Sequence, residues 1–196
     1  MKLCDNEFFN RNKRLLLIAF IIVFGSLIVG SLVGYFEAGD NYGQMTQTFT
    51  YMHEHNIPAD VNDTGNTPAI DYFIHNFTVD LVTMAGGILF SIFSIFTILI
   101  TSFTAGHYIG LDFIFGLVST LPHGIIEMLA SVFALTIAFI ITRAEIRVIK
   151  TRSFDGLKTD FKDILILLIL DIIFLLVAAY IEADITNIIV NSFFGI

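Results

Sequence analysis

From Leu15 to Phe36 the chain carries no charged side chain, and the stretch is long enough to cross a bilayer as a helix. A hydrocarbon core about 30 Å thick needs roughly 20 apolar residues per helical crossing, and it offers backbone amides and carbonyls no water to bond. A segment of this kind therefore folds as a helix or does not enter. Three more runs have comparable length: Leu81 to Thr104, Gly124 to Thr142 and Ile164 to Ala183. A shorter apolar stretch, Gly106 to Leu121, carries Asp112. The expected fold class is all-α, a polytopic transmembrane helical bundle.

The charges decide how many times the chain crosses. All ten Lys and Arg fall in two places. Lys2, Arg11, Lys13 and Arg14 precede the first run, and Arg143, Arg147, Lys150, Arg152, Lys158 and Lys162 separate the last two. The positive-inside bias puts both groups in the cytoplasm. Between them, Glu37, Asp40, Glu54, Asp60, Asp63, Asp71 and Asp80 stand in a segment without a base, which belongs outside. The runs at 81–104 and 124–142 must then both travel inward, so the chain has to cross outward between them. Gly106 to Leu121 becomes a short third span, tilted or matched to a locally thin bilayer. About five spans result, with a cytoplasmic N-terminus and an outside C-terminus. The layout is one transmembrane domain over 1–196, an acidic extracytoplasmic loop at 37–79 and a basic cytoplasmic loop at 143–163, in a multi-pass protein of the cell membrane. The first run is too long for the apolar core of a cleaved signal peptide and lacks a clean small-x-small site, so it reads as an anchor.

Composition removes other classes. Only 14% of residues are charged and 56% are hydrophobic, whereas a soluble domain carries about 25% charge. A net charge of −8 gives no basic footprint for nucleic acid. The lone Cys4 excludes a disulfide framework and a thiolate zinc site.

Small residues recur at the spacing that lets helix backbones approach each other: Ser26, Gly30 and Gly34 in the first span, Gly106 and Gly110 at the start of the third. Packing within the chain is the preferred reading, with homo-oligomerisation left open. Gly86 and Gly87 fit the same role in the second span.

Ionisable groups at membrane depth cost about 2.5 to 3.5 kcal/mol each on insertion scales, so each asks for a partner or a wet cavity. His107, Asp112, His123, Glu127, Asp171, Glu182 and Asp184 qualify. His123 and Glu127 are four apart and share a helix face; Asp171 and Glu182 are three turns apart and share another. The span directions bring His123, Glu127 and Glu182 together near the outer leaflet, with Asp171 deeper on the same stripe.

The string Leu121-Pro122-His123-Gly124-Ile125-Ile126-Glu127 resembles the Leu-Pro-His-Gly-x-x-Glu signature of the stage II sporulation protein M family of integral membrane proteins. Ala178-Ala179-Tyr180-Ile181-Glu182 resembles that family's Ala-Ala-x-Ile-Glu near the end of its last span, and His75-Asn76-Phe77-Thr78-Val79 its Asn-containing entry to the second. Where the family commonly has Asn-Gly, this chain has Ala105-Gly106. The resemblance implies a membrane bundle and, by analogy with a namesake that works with a peptidoglycan hydrolase and its activator, a role among envelope proteins.

Three functions stay open. The preferred one is a non-enzymatic scaffold, embedded in lipid, that positions envelope-remodelling membrane partners and needs no cofactor. The second is a permease or lipid-handling transporter with His123, Glu127, Glu182 and Asp171 along its pathway. The third is an intramembrane metalloenzyme in which His123, Glu127, Glu182 and His107 supply zinc-type ligands; no His-Glu-x-x-His accompanies them. Separately, Asp60, Asn62, Thr64 and Asp71 fall at positions 1, 3, 5 and 12 of a calcium-loop register with Gly65 at 6. A solvated acidic loop, including His53, Glu54 and His55, is the preferred reading there.

Overall fold

A computed structural model describes residues 6–41, 43, 44, 46–48, 50 and 67–194. Every regular element among them is helical: α1 (Asn6–Ala38), α2 (Ala69–Ala85), α3 (Ile92–Leu111), α4 (Phe113–Thr151), α5 (Leu157–Tyr180) and α6 (Asn187–Phe194). Short 3₁₀ turns follow α1 and α2, and a π turn at Ile181–Thr186 joins α5 to α6. Among the described residues, four stretches are long and apolar enough to cross a membrane: Glu7–Asn41, Ile92–Leu111, Phe113–Thr151 and Leu157–Phe194. The chain is a helical membrane protein.

Side-chain ties give the direction of each helix. Ser26 Oγ donates to Leu99 O at 2.9 Å and Ser31 Oγ to Gly106 O at 3.0 Å, so α1 and α3 run parallel. Arg143 near the end of α4 reaches Arg11 O at the start of α1, which makes those two antiparallel. Ser131 on α4 meets Asp80 on α2, and Thr142 further along α4 meets Gly87 just beyond α2, so this pair is parallel. The start of α5 returns to α1 through Asp163 and Arg11. The described bases of α1, α4 and α5 thus collect at one end of the bundle.

Two expected boundaries are corrected. The run from Leu81 to Thr104 is not one span. It is a hairpin: α2 ends at Ala85, residues 86–91 reverse the chain, and α3 returns. Phe90 and Ser91 take left-handed backbone conformations, φ 54° and 57°, which L-residues adopt at a cost. Thr142 supports the reversal by donating to Gly87 O at 2.9 Å while its hydroxyl oxygen takes a 2.6 Å bond from Ser91 Oγ. Ser94 Oγ closes the hairpin onto Thr83 O at 2.6 Å. Hydropathy cannot register such a turn, because the residues that make it are themselves apolar or small.

Gly106 to Leu121 is not a span either. Asp112 breaks it, leaving helical geometry at φ −147°, ψ 93° and capping α4 by accepting the Phe115 amide at 3.2 Å. Asp is a preferred N-cap because its carboxylate meets amides that have no partner inside the helix. Its other oxygen takes the Thr46 amide and hydroxyl, both at 2.7 Å. Gly106 and Gly110 therefore lie at the end of α3 and do not open a helix. Pro122, two residues before the Gly124 to Thr142 run, sits inside α4; neighbouring helices make such a proline tolerable at membrane depth. The segment 143–163 is mostly helical, since α4 runs to Thr151 and α5 begins at Leu157.

Candidate functional site

α4 passes through the middle of the bundle and presents His123, Glu127 and Ser131 at successive four-residue steps, so all three share one face. The facing side of α2 repeats the step with Asn76 and Asp80. Asn76 Nδ2 donates to Glu127 Oε1, and Ser131 Oγ donates to Asp80 Oδ1 at 3.3 Å. These bonds fasten α2 to α4 at two levels one turn apart.

α5 and the π turn supply the third wall. His123 Nδ1 shares a 3.1 Å hydrogen bond with Thr186 Oγ1. Because the Thr186 hydroxyl already donates to Ile181 O at 3.1 Å, the imidazole is the donor in that bond. His123 Nε2 then faces Glu182 Oε1 across 3.9 Å. The π turn widens the backbone where Glu182 and Thr186 meet α4; single π turns of this kind recur at functional sites. One turn toward the basic end of α4, Asp80 and Asp171 meet carboxyl to carboxyl. Asp80 is 2% exposed and Asp171 is completely buried.

A cavity of about 270 Å³ opens beside these groups, lined by His75, Asn76, Asp80, Thr101, Glu127 and Ser131 among others. On the other side of Glu127 lies a smaller, apolar cavity between α1, α3 and α4. Glu127 is thus the polar group between two spaces of opposite character.

The structure brings His123 to Glu182, as its depth suggested, but gives Glu127 to Asn76 and Asp171 to Asp80. His107 goes elsewhere, to Glu37 Oε2 at 2.8 Å. Among the described residues no three His, Cys, Asp or Glu side chains gather as a metal centre would require. A zinc-type set of His123, Glu127, Glu182 and His107 is not assembled, because helix directions that bring α4 to α5 point His107 of α3 at α1. Of the calcium register, Asp60, Asn62 and Thr64, like His53, Glu54 and His55, lie outside the described residues; Asp71 sits in the first turn of α2. Asp184 is exposed.

Residues 15–187 match the family described as stage II sporulation protein M. The chain belongs to the stage II sporulation protein M family. Within that match, the signature residues His123 and Glu127 occupy α4 and Glu182 the π turn beside it, and Asn76 completes the set from α2. Comparison with curated proteins finds no match, and comparison with solved structures finds none either.

Sequence reasoning passed over Asp80, Ser131 and Thr186. By sequence Asp80 falls in the acidic segment before the apolar run. Its four-residue spacing from Asn76 was the available signal, since a helix carrying both would put them on one face. Ser131 and Thr186 carry no signal of their own, because an uncharged hydroxyl in an apolar helix usually bonds its own backbone.

Proposed function

We propose that this member of the stage II sporulation protein M family crosses the cell membrane five times, N-terminus inside and C-terminus outside. It acts there as a non-enzymatic scaffold that positions envelope-remodelling membrane partners. The fifth crossing is α2 with its 3₁₀ extension, Ala69 to Leu89, which at about 1.5 to 2 Å per residue is roughly bilayer-long. The observation that carries the scaffold reading is how the signature is spent. His123 bonds Thr186 and Glu127 bonds Asn76, so the signature side chains tie α2, α4 and the π turn together within the chain. A rigid bundle of this kind can present its outer segments to membrane and envelope proteins. The family's namesake role, with a peptidoglycan hydrolase and its activator, names the class of partner.

A permease or lipid-handling role is the second reading. It is favoured by the carboxyls of Asp80, Glu127, Asp171 and Glu182 at depth with no Lys or Arg bonded to them among the described residues.

Chemical crosslinking in native membranes, followed by purification of the full chain, separates the two. A scaffold co-purifies with an envelope hydrolase in fixed ratio, and His123→Asn keeps that ratio because Asn can still bond Thr186. Recovery of the chain alone, together with solute flux in liposomes containing nothing else, would reject the scaffold in favour of the permease.

A further inference from the structure

Apart from Asp112, which takes amide and hydroxyl donors, the buried acids among the described residues are of two kinds. At the basic end, Asp163 takes a two-pronged bond from Arg11 at 3.1 and 2.7 Å and a third from Asn12 at 2.7 Å. Asp160 is held by Arg143 and Arg147. Asp80 and Asp171 have nothing comparable. Both oxygens of Asp171 and the Oδ2 of Asp80 lack any hydrogen-bond donor, although each residue is at least nine-tenths buried. Their level lies about 18 Å from Arg143 along α4, taking 1.5 Å per residue from Ser131.

Two carboxyl groups can hydrogen-bond to each other only when one of them carries a proton. If both were ionised, like charges would meet in a medium too poor in dielectric to screen them. The titratable groups facing the pair supply no positive charge by default: α4 offers Glu127 and, a turn further, His123; α5 and its π turn offer Glu182; α2 offers His75 toward the far end. From α3, Thr101 is the polar side chain on the same cavity. We propose that Asp80 and Asp171 form a proton-binding site in the middle of the bundle, loaded from the end opposite the bases through the cavity lined by His75, Asn76 and Glu127.

Access is one-sided. Asp80 lines that cavity, whereas Met84, Ile137 and Leu167 pack in a buried apolar cluster between the pair and the basic end. A proton arriving from the cavity binds a carboxylate oxygen of Asp80 and is shared with Asp171; leaving, it returns the same way. The site stands on this geometry whether the chain works as a scaffold or as a permease.

Dicyclohexylcarbodiimide, an apolar reagent that modifies protonated carboxyls in apolar surroundings, is the probe. Applied to the purified full chain in lipid nanodiscs and mapped by peptide mass spectrometry, it should modify Asp80 or Asp171. Labelling should be at least about fivefold greater near pH 6 than near pH 9, while Asp40 and Asp71, exposed and not in apolar surroundings, stay unmodified at both. Asp171→Asn should abolish the adduct, because its amide donates to Asp80 and lets that carboxylate remain ionised. The mapping on the unmodified chain decides the matter even if this variant fails to assemble. No adduct at either residue, an adduct confined to Glu127 or Glu182, or labelling independent of pH would overturn the proposal. So would protection by sodium at fixed pH, which would make the occupant a metal cation.

Discussion

Glu127 concentrates what one side chain does in this bundle. Its carboxylate accepts from Asn76 on another helix, so its value lies in an acceptor at a given place and not in charge. Glu127→Gln keeps a carbonyl oxygen there and should leave stability nearly unchanged. Glu127→Leu removes the acceptor and strands the Asn76 amide, at a cost of about 1 to 3 kcal/mol. Thermal unfolding of the two variants in the same detergent measures the difference; equal loss in both would mean that charge matters after all. The pairing of His123 and Glu127 on one face was legible from their four-residue spacing. Their partners were not, because Asn76 lies 51 residues from Glu127 and Thr186 lies 63 from His123.

Helices α1 and α3 meet along glycines. A Cβ on Gly106 would fall 2.0 Å from Leu27 O, and one on Gly30 would fall 2.1 Å from Phe103 O. Both obstacles are backbone and cannot rotate away. Without a hydrophobic drive between helices in lipid, this close approach and its dispersion contacts hold the pair. Gly106→Ala should therefore cost at least about 1 to 3 kcal/mol as an overpacked contact. Gly25→Ala, on the same α1 but with nothing within 4 Å of its Cβ position, should be neutral or slightly stabilising. Titration of both variants with a denaturing detergent compares them directly, and equal sensitivity would sink the explanation. The glycine spacing announced this contact. The ends of the helices stayed hidden: Asp112 reads as a polar residue in a span until its capping bond is seen, and Gly86-Gly87 reads as a packing pair, which Gly87 is against Ala138 of α4, without showing that the chain also reverses there.

The molecule as a whole has a polar end built from Arg11, Arg143, Arg147, Asp160 and Asp163, where α1, α4 and α5 are clamped together. Its charge asymmetry should fix orientation in the membrane. With Cys4 replaced by Ser, a cysteine at the exposed Asp40 should react with a membrane-impermeant thiol reagent added outside intact cells. One at the exposed Arg152 should react only after permeabilisation. Labelling of the Arg152 position in intact cells would refute five crossings with the bases inside.

Membership of the class of helical membrane proteins was written in the residues alone, and so was the confinement of bases to segments that share one end. Hydrocarbon acts on each segment separately: it forces the backbone to bond within itself and charges the same penalty to an ionisable group wherever its neighbours lie. Turn positions and the fate of each buried acid depend instead on contacts between helices. Asp163 meets Arg11 across 152 residues of chain, whereas Asp80 meets another acid. Both are aspartates at the edge of an apolar run, one beside bases and the other in a segment without any, yet neither pattern names the partner; packing makes one an ion pair and leaves the other facing its own kind.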